Sequence, residues 1–148
     1  MYRPVTSKRG RHRAGAAAGE MAGILPLLVT LLLAAADFGR FASLYIALAN
    51  AARAGAQYGA MNNYTSSTQS TWTSNIQTAA VNEISGQYGG FSTSNVTVTP
   101  VAADANGLRH VRVTTTYSFT TVINWNWTGL GLPHTMTMNQ QVELPMIR

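Results

Sequence analysis

Between Ala14 and Ala36 the sequence reads AGAAAGEMAGILPLLVTLLLAAA, twenty-three residues with a single charge, Glu20. At about 1.5 Å of helical rise per residue the run covers about 34 Å, enough to cross the hydrocarbon core of a bilayer. The uncharged part after Glu20 is sixteen residues, between a signal-peptide core and a full membrane span. The helical pattern continues past Ala36. Phe38, Phe41, Tyr45, Leu48, Ala52, Gly55 and Gly59 recur at alternating spacings of three and four, with alanines between them. One helix over 16–60 is the expectation, its first half suited to lipid and its second half amphipathic. The stripe Phe38–Phe41–Tyr45–Leu48 is expected to pack under a sheet and form most of a small core. Pro26 removes one backbone hydrogen bond from the apolar half and is expected to bend it.

Residues 61–71 are polar and read as a loop. A second amphipathic helix follows over about 70–85, with Trp72, Ile76, Ala79 or Ala80, and Ile84 on one face, Ser70 as N-cap and Gly86 as stop. The last third alternates with period two. Val96 and Val98 share one face of a first strand. Val111, Val113, Thr115, Tyr117, Phe119, Thr121 and Ile123 share one face of a second, over 108–123. Met136, Met138, Val142 and Leu144 are in phase in a third, over 134–144. Asp104-Ala105-Asn106-Gly107 carries the turn between the first two, Asn-Gly being its strongest element. The fold class expected is α+β: a long N-terminal helix with a transmembrane and an amphipathic half, a second amphipathic helix, and a three-stranded antiparallel sheet.

Charge changes this picture at one end. Of ten basic residues five (Arg3, Lys8, Arg9, Arg11, Arg13) lie in the first thirteen positions, and the other five balance five acids. The net charge of +5 therefore belongs to the tail, and residues 14–148 are formally neutral. A nucleic-acid binder spreads basic residues over a folded face. A basic run abutting an apolar helix instead reads as a positive-inside flank, with Lys8, Arg9, Arg11 and Arg13 setting an N-in, C-out topology. No nucleic-acid partner is expected.

Candidate chemistry is sparse. There is no cysteine, hence no disulfide or thiolate metal site. His12, His110 and His134 have no metal-ligand spacing, and no serine or threonine has a histidine and acid in partnership. No catalytic residue, metal or cofactor is expected. The one apolar loop, Trp125 to Pro133, carries two tryptophans; core burial of at least one is the expectation, with a partner contact and a membrane-interface anchor as the other readings. Ala34-Ala35-Ala36 also fits the small-residue site of a secretory signal peptidase, so a secreted binding or adhesin module released after Ala36 is the alternative reading.

One constellation is sharper than the rest: a basic stretch, then Gly15-Ala16-Ala17-Ala18-Gly19-Glu20, then the apolar helix. A small residue followed five positions later by a carboxylate, at the head of a membrane helix, resembles the class III signal of type IV pilin-like proteins. More closely, RHRAGAAAGEMAGILPLLVTLLLAAADFGR at 11–40 and ALANAARAGAQYGA at 47–60 resemble the TadE-like family of minor pseudopilins of tight-adherence (Flp-type) pili. The terminal Met146-Ile147-Arg148 is a weaker match. An aromatic often follows the glutamate in such signals; here it is Met21.

The resemblance implies cleavage by a prepilin peptidase after Gly15, which makes Ala16 the new N-terminus and Glu20 its fifth residue. It implies a non-enzymatic subunit of the bacterial inner membrane, single-pass, with the C-terminal domain periplasmic or extracellular and other pilus or pseudopilin subunits as partners. The organisation expected is a basic leader over 1–15, a transmembrane helix over 16–37 and an extracytoplasmic domain over 38–148. A carboxylate in the bilayer is costly unless protonated or paired. Glu20 of one subunit is expected to pair with the new α-amine at Ala16 of its neighbour and set their register. The other reading of Glu20 is a water-exposed residue at the headgroup boundary.

Overall fold

The computed structural model describes residues 9–125 and 133–147, with side chains from residue 15 onward. In chain order the elements are α1 (Arg9–Met61), α2 (Gln69–Ile84), a short 3-10 turn (Thr93–Asn95), β1 (Val96–Val101), β2 (His110–Thr120) and β3 (Thr135–Pro145). The expected α+β class, with its long first helix, second helix and three-stranded sheet, is the one observed. The chain divides into two units, Met1–Phe38 and Gly39–Arg148, and α1 contributes to both.

In the first unit the large apolar side chains from Met21 to Leu33 are 37–70 % exposed. Pro26 lies inside α1, and the Thr30 hydroxyl donates to its carbonyl at 2.8 Å. A serine or threonine bonding back to the carbonyl four residues earlier is a common arrangement inside apolar helices. From Gly15 onward α1 is the one described helix long and apolar enough to cross a membrane.

The second unit is an antiparallel meander in the order β1-β2-β3, covered on one face by helix. Val96 pairs with Thr115 and Val101 with His110; eleven consecutive pairs then join β2 to β3, from His110–Pro145 to Thr120–Thr135. Period two puts Val111, Val113, Thr115, Phe119 and Met138 in the core. Gly107 closes the β1–β2 turn at φ +76°, a left-handed conformation that suits glycine, and Asp104 Oδ1 accepts from the Asn106 and Leu108 amides at 2.9 Å.

α2 buries Trp72, Ile76, Ala80 and Ile84, the face read from the sequence. Its N-cap is Thr68 rather than Ser70. Gly86, at φ +90°, stands just past its end.

α1 keeps the expected phase from Leu48 through Ala52, Gly55 and Gly59, all buried, and departs from it before Leu48. Phe38 is 72 % exposed and Tyr45 49 %, and Phe41 is only partly buried; of the expected stripe from Phe38 to Leu48, Leu48 alone is fully enclosed. The buried face is Leu44, Ala47, Leu48, Ala51, Ala52, Ala56 and Ala60. Small side chains let backbones approach closely. A Cβ added at Gly59 would sit 2.7 Å from Ile76 Cδ1 and 3.0 Å from Val111 Cγ2, and one at Gly55 would sit 3.3 Å from Ala80 Cβ. At Gly55 and Gly59 α1 therefore meets α2 and β2 with no side chain of its own between them.

The far end of the unit is tied by the last residues of the chain. Ile147 N–H donates to the Ala60 carbonyl at 2.9 Å, Met146 N–H to Arg109 at 2.7 Å, and Asn63 Nδ2 to Ile147 at 2.9 Å. There the Arg109 guanidinium lies 4.3 Å from the centroid of the Tyr64 ring, which packs on Trp72.

Candidate functional site

Gly15, Ala16 and Glu20 all fall on α1 and are exposed. Four residues apart in a helix, Ala16 and Glu20 occupy one face one turn apart. A Cβ added at Gly15 or Gly19 would meet nothing within 4 Å. The head of the helix is thus free of packing constraint from the described chain at these two positions. Of the residues expected to set the topology, Arg9, Arg11 and Arg13 lie on α1, and Lys8 is outside the described residues.

The sequence reading missed a second constellation, on the solvated face of the sheet. Register places Arg112 opposite Glu143, and the guanidinium donates to Oε2 through Nε at 3.0 Å and Nη2 at 2.9 Å. His110 stands between two carboxylates, its Nε2 3.4 Å from Asp104 Oδ2 and its Nδ1 3.5 Å from Glu143 Oε1. The Leu108 amide foremost, then the Asn106 amide and His110, hold the Asp104 carboxyl below its ordinary value. These residues are spread over forty positions, and only strand register brings them together. The group ties the β1–β2 turn to β3; among the described residues no three His, Cys, Asp or Glu are placed to hold a metal ion.

Thr115 is a polar group in the core, on the strand face to which alternation assigned it. Its hydroxyl donates to the Leu48 carbonyl of α1 at 3.0 Å, a bond that fixes the helix along the strand. An apolar hollow of about 500 Å³ lined by Gln57, Ala60, Met61, Leu144, Pro145 and Ile147 holds no ionisable side chain. Most of the expected apolar loop, including Trp127, lies outside the described residues; Trp125 is half-buried.

Comparison with known families matches residues 15–57 to the model described as TadE-like protein. It covers the apolar helix and the small-residue half of α1, and bears out the resemblance carried by 11–40 and 47–60. No curated protein and no solved structure matches the chain. A TadE-like segment built on an apolar N-terminal helix fits a membrane-associated component of a Tad pilus.

Proposed function

From a TadE-like segment at residues 15–57, we propose that this chain is a non-enzymatic, single-pass minor pseudopilin-like subunit of a tight-adherence pilus or secretion apparatus. The organisation is a basic cytoplasmic leader over 1–15, a transmembrane helix over 16–37 and an extracytoplasmic domain over 38–148. Prepilin peptidase cuts after Gly15 in a bacterial inner membrane, and the mature subunit assembles with other pilus subunits. The observation that carries this reading is the coincidence of three features on one stretch of α1. The family match opens at Gly15, Glu20 lies beyond it on the exposed helix head, and the apolar run begins directly after Glu20.

The chemistry assigned to Glu20 derives from its place. Removal of the leader leaves a cationic amine at Ala16, at nearly the depth of the carboxylate. Pairing between neighbouring subunits relieves the cost of a charge at the bilayer and selects one axial register. Glu20→Ala should leave insertion and domain folding intact while incorporation into the apparatus is lost. Glu20→Gln should behave alike, since shape is kept and charge is not. Wild-type incorporation of both variants would reduce Glu20 to a boundary residue.

A further inference from the structure

We propose that Asn106 is a site of spontaneous modification. Its carboxamide closes onto the Gly107 amide with loss of ammonia, and water opens the ring to aspartate or isoaspartate. The Asp104 clip of the β1–β2 turn sets the rate.

Asn106 is the one asparagine of the chain followed by glycine. A side chain at the next position crowds the attacking nitrogen, and glycine has none. Hydrogen bonding separates Asn106 further from other asparagines. The Nδ2 groups of Asn62, Asn63 and Asn95 donate to the carbonyls of Tyr58, Ile147 and Thr116 at 2.8, 2.9 and 3.0 Å, and each must break that bond before it can turn onto the next amide. Asn106 is exposed, and among the described residues its carboxamide has no hydrogen-bond partner; its backbone N–H alone is engaged.

The reaction balances with water as the sole co-reactant. The Gly107 nitrogen gives up its proton and bonds to Asn106 Cγ. The Cγ–Nδ2 bond breaks, and Nδ2 leaves as ammonia with a proton returned from solvent. The product is a cyclic imide, and water adds at either of its carbonyls. Opening at Cγ leaves an ordinary aspartate; opening at the Asn106 carbonyl carbon routes the main chain through Cβ as isoaspartate. Either product carries a carboxylate where the chain had a neutral amide.

The turn holds the nucleophile back. Gly107 N–H donates to the Asp104 carbonyl at 2.9 Å, and Asp104 Oδ1 accepts from the amides on either side, Asn106 and Leu108, at 2.9 Å. Gly107 sits at φ +76° inside this clip. Its nitrogen meets Cγ only when the turn opens, and an exposed turn opens locally without unfolding of the sheet. Asp104 Oδ2 lies 3.4 Å from His110 Nε2, and His110 Nδ1 lies 3.5 Å from Glu143 Oε1, so the clip is fastened to β3. Modification undoes it. A carboxylate at 106 stands close in sequence to that of Asp104, and isoaspartate inserts an extra main-chain carbon between the amides that Oδ1 accepts.

The full-length chain in detergent would be aged at mildly alkaline pH and a peptide spanning residue 106 followed by mass spectrometry, with chromatographic separation of aspartate from isoaspartate. Asn106 should convert ahead of the other asparagines, several-fold faster in Asp104→Ala than in the native chain, and fastest in urea. Asp104→Asn, which keeps an acceptor oxygen, should stay near the native rate. Conversion at Asn106 no faster than at Asn62 overturns the site. A rate in Asp104→Ala equal to the native one, a native rate equal to that in urea, or Asp104→Asn converting as fast as Asp104→Ala overturns control by the clip.

Discussion

The two halves of α1 are both rich in apolar residues and dispose of them in opposite ways. From Met21 to Leu33 the side chains are large and exposed; from Leu44 to Ala60 the buried ones are mostly alanine, and they are nearly inaccessible. Size rather than hydrophobicity separates the halves. Large aliphatic side chains turned outward suit a solvent of lipid chains. A face of alanine and glycine suits close contact between backbones, and Gly59, wedged against Ile76 and Val111, is its tightest point. A helix can therefore pass from membrane span to domain core with little change in composition, provided that side-chain volume falls where protein replaces lipid.

The largest effect expected from this contrast is on chain truncation. A fragment of residues 39–148 keeps the buried face of α1 and should unfold cooperatively on heating. A fragment of 61–148 loses Leu44 and Leu48, worth about 1.5–3 kcal/mol each when fully buried, and strips the helix from Ile76, Val111 and Val113. Against a total stability of about 5–15 kcal/mol, it should show no cooperative transition. A sharp transition in the shorter fragment would mean that the small-residue face serves another partner.

Single substitutions sharpen the same comparison. Leu48→Ala should destabilise the domain by about 2–5 kcal/mol, read by denaturant unfolding of the chain in detergent. Leu28→Ala, at a side chain 51 % exposed, should leave the same transition in place. Equal losses would erase the distinction between the halves.

A smaller effect is expected at the seam itself. In Gly59→Ala the Ile76 methyl can swing aside, but Val111 is held in a strand. Overpacking of about 1–3 kcal/mol then outweighs a helix-propensity gain of about 1 kcal/mol. Unfolding midpoints should fall slightly; a rise would mean that the seam has room for a methyl group.

The sheet was legible in the sequence because period two and Asn-Gly at 106–107 left little freedom, and the buried face of α2 because Trp72, Ile76 and Ile84 are large and regularly spaced. The stripe on α1 was read rightly from Leu48 to Gly59 and wrongly at Phe38 and Tyr45, for a physical reason. Phe38, Phe41 and Tyr45 are the bulkiest side chains of the stripe and would bury the most area if enclosed, yet the domain needs close approach more than bulk. The polar residues held the usable signal: Asn50, Arg53 and Gln57 recur at three and four and mark the face opposite the core. The Gly15–Glu20 constellation could be proposed from the sequence because all of its residues are local. Asp104, His110, Arg112 and Glu143 were not, because register alone assembles them.

That assembled group gives the smallest expected effect. The Asp104 carboxyl is held below its ordinary value of 3.8, the Leu108 amide being the largest cause. A depressed carboxylate contributes stability that is present above the unfolded value and is lost as pH falls through the lower folded one. Thermal midpoints should therefore begin to decline below about pH 4. Asp104→Ala should shallow that decline; an unchanged acid profile would leave the turn without an electrostatic part.

The central claim is that the apolar half of α1 stays with the mature protein as its anchor, after a cut at its head. N-terminal sequencing of the chain extracted from the membrane fraction tests this most directly. The account predicts a start at Ala16, with the Glu20 carboxylate at the fifth position. A start at Asp37, on chain recovered outside the membrane, would contradict it: the apolar half would be a discarded signal and the domain a secreted module.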